Sequence, residues 1–506
     1  MSDDLELVYR QISCLKAVSL NSFSGGVQDF NWSIGGKTGW IPSKSYFRIG
    51  MTVTGAGGAA QPSFTEQIAL ADGVLGNLYN NAYFRAGGQD VSSIVNYASQ
   101  AAAIKNRLDK SNSFMKTIGK GSLWLESDYN KRILKTCSKT GLPASFAGSE
   151  GLTTRKFVPD DEKKDASYRV EVTTDGAVDL TDCTYPTTPV AGDQILVNGM
   201  VFTFTSSTTI QPKPSPAVNS GANGSALIIE RPNNGDGRNV NYGIWQPPIG
   251  IFDHDQPMGA GDYRIQLNPN AYYKTSAVEK RSGVGLPGTD FNFEVTSVEL
   301  YIATVKYNPA SRGLSENETG VETLHLMEQQ IQTKTLSEGV NETLLDFTVP
   351  SSTKAITLFV QSGKAGNTTK LTPSTFKALN GSDLNLATIH VSYANQVKPS
   401  TRWTSEYNDT TNKLLQRYND TQMNSGMYSN EGGTESFGDW IKRGPYYHWS
   451  WSRDKDDRST QAQVSISFNS PGIEEGCNLF LVAHYTKTCQ ISLNNGFVTE
   501  VNSLAV

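Results

Sequence analysis

Residues 441–451 read Ile441-Lys442-Arg443-Gly444-Pro445-Tyr446-Tyr447-His448-Trp449-Ser450-Trp451, a Gly-Pro turn joined directly to a run of aromatic side chains. Three strand patterns follow. Gln463-Val464-Ser465-Ile466-Ser467-Phe468 alternates polar and apolar at period two; Asn478-Leu479-Phe480-Leu481-Val482-Ala483-His484-Tyr485 is a short apolar run; Gln490-Ile491-Ser492-Leu493 alternates again. Successive side chains of a strand point to opposite faces of its sheet, so this alternation predicts half-buried strands, and the turn residues between them predict an all-β carboxyl end.

The composition carries that reading outward to the whole chain. At 506 residues it exceeds what one hydrophobic core usually serves, so more than one core is expected. Charged residues make up 18% and hydrophobic residues 37%, with abundant Asn, Ser, Thr and Gly, a mix that suits many strands joined by polar turns. There is no apolar run of about 18 residues, so no membrane-spanning helix is expected. The first residues, Met1-Ser2-Asp3-Asp4-Leu5-Glu6, lack the basic region and apolar core of a signal peptide. Five cysteines (Cys14, Cys137, Cys183, Cys477 and Cys489) are dispersed without a C-x-x-C pair, and are read as reduced, packed thiols.

Along the chain, strands are expected at 27–32 and 45–53. Tyr83–Val91 reads as a strand pinched by Gly87-Gly88, followed by a helix to about Leu108 capped by Ser92-Ser93. Leu5, Val8, Ile12 and Leu15 recur at helical spacing, and a short helix packed under its own domain or a neighbour is favoured over a membrane-lying anchor, because the segment is short and weakly basic. Residues 150–240 differ in texture: the mixed charge run 160–165 is a solvated loop, 194–204 is a hairpin turning at Asn198-Gly199, and prolines at 212, 214 and 216 form a loop. Alternating stretches then return at 262–269, 291–303, 342–350, 355–361 and 387–393, with a helix containing Leu414, Leu415 and Tyr418.

The order of these motifs resembles that of double jelly-roll major capsid proteins, in particular those of Polinton-like viruses, adintoviruses and virophages. The resemblance rests on the glycine-pinched strand before a short helix, on Trp245-Gln246-Pro247-Pro248-Ile249-Gly250-Ile251-Phe252 before the strand 262–269, on the Pro399-Ser400 exit after strand 387–393, and on the aromatic carboxyl end. It implies an all-β chain of two tandem eight-stranded jelly-roll barrels with short helices and an elaborated loop insertion. An N-terminal segment is placed at 1–24, the first jelly roll at 25–305 with its tower-like insertion at about 150–240, and the second at 306–506. The strand 262–269 closes the first barrel in this layout.

Motifs that suggest chemistry fail on their surroundings. Gly35-Gly36-Lys37-Thr38 mimics the end of a phosphate-binding loop, but Asn31 stands where its first glycine is required and Gly39-Trp40-Ile41-Pro42 cannot start the helix. Gly55-Ala56-Gly57-Gly58-Ala59-Ala60 lacks a βαβ frame. The histidines (254, 325, 390, 448, 484) show no metal-ligand spacing, and 453–458 lacks the ligand spacing of a calcium loop. Tyr446, Tyr447, Trp449 and Trp451 alternate within a strand pattern, which favours a core-and-interface role over a sugar-stacking platform. No catalytic, cofactor-binding or metal-ligating residue is assigned.

The resemblance implies a non-enzymatic viral major capsid protein that assembles as pseudo-hexagonal trimers into an icosahedral shell and resides in the virion. Its partners are then other copies of itself, penton and minor or cement proteins, and an internal membrane. Forty-four basic against 49 acidic residues give a net charge of −5 with no basic arm, so direct nucleic-acid binding is not expected. The rival reading is a multi-domain β-sandwich carbohydrate-binding protein or carbohydrate-active enzyme, which shares the composition and aromatics.

Overall fold

The computed structural model describes residues 7–15, 26–35, 38–55, 68–71, 73–111, 239–280, 291–306, 321–362, 386–404, 413–425, 445–452, 458–468, 476–492 and 498–502, with isolated positions and short strand pieces elsewhere. Sixteen strands build two barrels. The first holds β1 Leu7–Ser13, β2 Gln28–Ile34, β3 Thr38–Gly55, β4 Tyr79–Ala86, β5 Gln89–Ile94, β6 Asn239–Trp245, β7 Gly261–Pro269 and β8 Phe291–Lys306. The second holds β9 Val321–Leu336, β10 Glu342–Thr348, β11 Thr353–Ser362, β12 Leu386–Tyr393, β13 Gln396–Thr404, β14 Tyr446–Ser450, β15 Gln461–Phe468 and β16 Cys477–Ser492. Helix α1 (Ala98–Asp109) follows β5, and helix α2 (Lys413–Asn424) follows β13.

The sheets of the first barrel run β1-β8-β3-β6 and β2-β7-β4-β5; those of the second run β9-β16-β11-β14, with the extra strand Val498–Asn502 also paired to β16, and β10-β15-β12-β13. Adding eight to each label of the first barrel gives the second. This strand order, with antiparallel neighbours throughout, is the double Greek key of a jelly roll, repeated without a visible sequence repeat. Pairing needs only alternation and turn chemistry, and these recur. Both barrels make the same tight turn from the fourth to the fifth strand with two left-handed residues: Gly87 and Gly88 in the first, Ala394 and Asn395 in the second.

Alternation fills each barrel from both sheets. The strand β15 reads exposed-buried in strict sequence, and β2 does nearly the same. Phe30 from one sheet meets Phe47 from the other edge-to-face at 5.1 Å, and Trp32 meets Trp40 at 5.0 Å. The Trp40 indole N–H donates to Ser45 Oγ at 2.8 Å, so its one polar atom is satisfied in the core. Each such large apolar side chain contributes about 1.5–3 kcal/mol by leaving water. One continuous buried cluster spans both barrels, from Phe23 to Ile491.

Several local expectations give way to tertiary pairing. The helix expected over residues 5–15 is strand β1, whose register Leu7↔Val305 to Ser13↔Glu299 adds it to the first barrel's sheet. Ser92 and Ser93 do not cap α1. Both lie in β5, and the chain enters α1 through left-handed Asn96 and Tyr97, whose amides donate to Asn81 Oδ1 and Asn80 Oδ1 at 2.6 and 3.2 Å. The strand at 261–269 is the seventh of its barrel; β8 closes it. The stretch expected at 478–485 and that expected at 490–493, as far as Ser492, belong to one 16-residue strand, β16, paired along its length with β9, while Leu493 lies outside the described residues.

Between α1 and β6 lies the insertion. Its described strands form two small sheets, one in the order Thr209–Gln211, Met200–Ser206, Gln194–Val197, Ala226–Leu227 and one in the order Val218–Asn219, Glu171–Val172, Val178–Asp179, none of them paired with a barrel strand. The expected hairpin is present with Met200 opposite Val197; Asn198 and Gly199 themselves lie outside the described residues, as does the charge run 160–165.

Candidate functional site

Among the described residues no cluster of three or more His, Cys, Asp or Glu is arranged to hold a metal ion. Thr38 donates its amide to the Gly35 carbonyl at 3.0 Å and opens β3, so that motif is a turn into a strand, while Gly36 and Lys37 lie outside the described residues. Residues 56–60 and 453–457 also lie outside them. Cys14, Cys477 and Cys489 are free thiols. Tyr446, Tyr447, Trp449 and Trp451 are all buried, which removes the sugar platform; β14 is covered on both faces.

Two histidines that sequence spacing kept apart do meet. On β14 and β16, flanking β11, His448 Nδ1 and His484 Nε2 each lie 2.8 Å from the hydroxyl of Thr357, with the rings 5.4 Å apart. One hydroxyl donates to one ring and accepts from the other, so the pair is held with complementary tautomers. Burial lowers His448 to about 4 and drives His484 well down, with the neighbouring imidazole and Lys105 adding to the effect.

The functional geometry is concentrated at the seam between barrels. Helix α1 of the first barrel lies on the sheet β9-β16-β11-β14 of the second. Its alanines hold it close to its own barrel, where a Cβ on Gly76 would come within 2.7 Å of Ala102 Cβ. Tyr97 stands edge-on to Phe480 at 5.3 Å, and Phe480 stacks on Phe359 at 4.9 Å. Gln100 donates to Gln361 at 3.2 Å, and Arg107 donates to Glu435 at 2.9 Å with its guanidinium beside the Tyr446 ring. At the other end of the seam, Glu328 of β9 reaches into the first barrel, where Ser92 Oγ donates to its carboxyl. Burial pushes that carboxyl up to about 7, against the opposing effects of Ser92, Lys487, the Gly250 amide and Lys105.

Among the described residues, the corresponding sheet of the first barrel is partly open on its outer face. Register places Tyr46 opposite Tyr301, Tyr301 opposite Gln11, and Arg48 opposite both Glu299 and Ile244, all on the face away from buried Phe47 and Leu300. Tyr46 stacks on Tyr301 at 5.4 Å and Tyr9 lies 5.7 Å from Tyr46. Leu7, Tyr9 and Ile244 are 39, 45 and 44% exposed. In the second barrel, α2 occupies the place in the strand order that α1 has in the first, and it leaves Leu415 and Met423 exposed. A shallow cleft of about 400 Å³ on the other sheet, between Asn31, Ser33, Arg85, Asp262 and Arg264, is internally neutralised: Arg85 pairs with Asp90, Arg264 with Asp29, and Ser33 donates to Asp262.

The comparisons agree with this architecture. No family model matches the chain, and no curated protein matches it. Among solved structures, a chain of the Sputnik virophage structure matches at 11% identity and TM-score 0.52, covering 99% of this chain and 89% of that one. The mavirus major capsid protein aligns at 10% identity and TM-score 0.48, covering 100% and 94%. The Sputnik match shows a shared fold over nearly the whole chain, and the resemblance to double jelly-roll capsid proteins holds at the level of the fold.

Proposed function

We propose that this chain is a viral major capsid protein that acts by self-assembly, three copies closing into a pseudo-hexagonal capsomer and capsomers tiling an icosahedral shell in the virion. The observation that carries the reading is the unequal use of equivalent surfaces. Inside the chain, a helix of barrel one covers a sheet of barrel two; the equivalent sheet of barrel one, with Leu7, Tyr9, Tyr46, Tyr301 and Ile244, and the equivalent helix of barrel two, with Leu415 and Met423, remain open. Repeating the internal junction head-to-tail joins those open surfaces. A heterologous contact of this kind forms a closed ring when its rotation closes, and six barrels from three chains approximate sixfold symmetry.

The partners are then other copies of the chain, with penton and minor or cement proteins at the positions a hexagonal unit cannot fill. A net charge of −5 supports assigning genome contact to other components, such as an internal membrane or a core protein. Electron microscopy of the purified chain tests the reading: hexagonal particles with six density lobes are expected, and a field of two-lobed single chains would overturn it.

A further inference from the structure

The Glu328 carboxyl, buried on β9 of the second barrel, crosses to two separate elements of the first. It meets the Ser92 hydroxyl on β5 and the amide of Gly250, which opens the helical turn Gly250–Asp253. The Ser92 oxygen in turn accepts the amide of Ile251 at 3.2 Å, so the acid caps both leading amides of the turn, one directly and one through the serine. The approach is as close as backbone allows: a Cβ on Gly250 would fall 2.7 Å from Met327 O and 3.0 Å from Glu328 Oε1. The second carboxyl oxygen, Oε2, is buried with no hydrogen-bond partner.

We propose that Glu328 is a pH-operated latch on the barrel seam, closed while its carboxyl carries a proton and loosened when the proton leaves. A buried, half-satisfied carboxylate is costly where a neutral acid is tolerated. The charged groups around it do not offset this. Lys105 of α1 is engaged by Asp253 of the turn, Lys487 of β16 acts without a hydrogen bond to the acid, and Tyr485 of β16 would face the new negative charge. His484 of the same strand is driven well down by burial, so it brings no positive charge near pH 7. The sign follows: the folded-state value of about 7 lies above the ordinary 4.5, so the latch contributes fully below 4.5 and its contribution is lost as pH rises through 7.

The test is hydrogen exchange of segments 249–254 and 324–329 in the intact chain, corrected for the intrinsic pH dependence of exchange. Between pH 5 and pH 9, protection in these segments is expected to fall by on the order of 80-fold, the part of the gap between the two carboxyl values that is titrated over that interval. In Glu328→Gln, which keeps the acceptor but cannot ionise, protection stays level across that range. A wild-type chain without the fall, or an equal fall in Glu328→Gln, overturns the latch. Should Glu328→Gln fail to fold, Ser92→Ala decides: losing the hydroxyl that favours the charged form moves the midpoint to higher pH, and an unmoved midpoint overturns the proposal.

Discussion

Arg107 of the first barrel and Glu435 of the second form an ion pair of 2.9 Å in which the two side chains are only 0 and 2% exposed. A pair so far from water gains its attraction at the expense of two desolvated charges, and removing one partner takes away the opposite charge that offsets burial of the other. Arg107→Ala is therefore expected to destabilise the chain by about 3–5 kcal/mol. Replacing both residues by apolar ones of similar volume is expected to cost far less, and denaturant titration of the three variants measures the difference.

Gly250 of the first barrel lies close against β9 of the second. Gly250→Ala places a methyl 2.7 Å from the Met327 carbonyl, and the expected loss is about 1–3 kcal/mol from overpacking. Gly88→Ala meets open space, and its cost comes from φ +85° instead. Only the first should lower protection along the seam, which hydrogen exchange of both variants separates.

Acid acts on the histidine pair. His448 is lowered to about 4 and His484 is lowered as well, so the unfolded chain binds protons that the folded one refuses. Their contribution is complete above pH 6.5 and is lost as pH falls toward 4, with His448 alone accounting for about 3 kcal/mol. A Thr357→Val chain, which leaves both rings without their shared hydroxyl, should melt lower at neutral pH by the equivalent of about 1–3 kcal/mol. Thermal unfolding from pH 4 to 7.5 checks both expectations; a wild-type midpoint that does not move over this interval contradicts the first.

The insertion is expected to be dispensable to the barrels. Its described strands pair only with one another, and long surface loops add little closure entropy. Deleting residues 194–225 should leave a folded chain with the same assembly state. Insoluble product would place the hairpin in the core.

Much of the fold was legible because alternation survives wherever one face of a strand is wet. The buried-exposed rhythm of 461–468 and the glycine pair at 87–88 carry strand and turn without tertiary help. Legibility ended where a neighbour decided. Val8, Ile12 and Leu15 fit a helix equally well until β8 supplies hydrogen bonds along β1. Tyr446–Trp449 are buried on both faces because the strand lies between its own barrel and the seam, so period two could not show which residues are covered. Glu328 and Ser92 carry no local signal at all: an acid at an alternating position reads as solvated, and 236 residues separate it from the serine it meets. His448 and His484 meet only because β11 pairs with both of their strands.

The open sheet of the first barrel bears the central claim, and the mass of the particle in solution tests it most directly. Light scattering of the purified wild-type chain at micromolar concentration is expected to give three times 55.1 kDa, and a Tyr9→Asp, Ile244→Asp chain is expected to give folded monomers. A wild-type chain that stays at 55.1 kDa, with no larger species, would contradict the account.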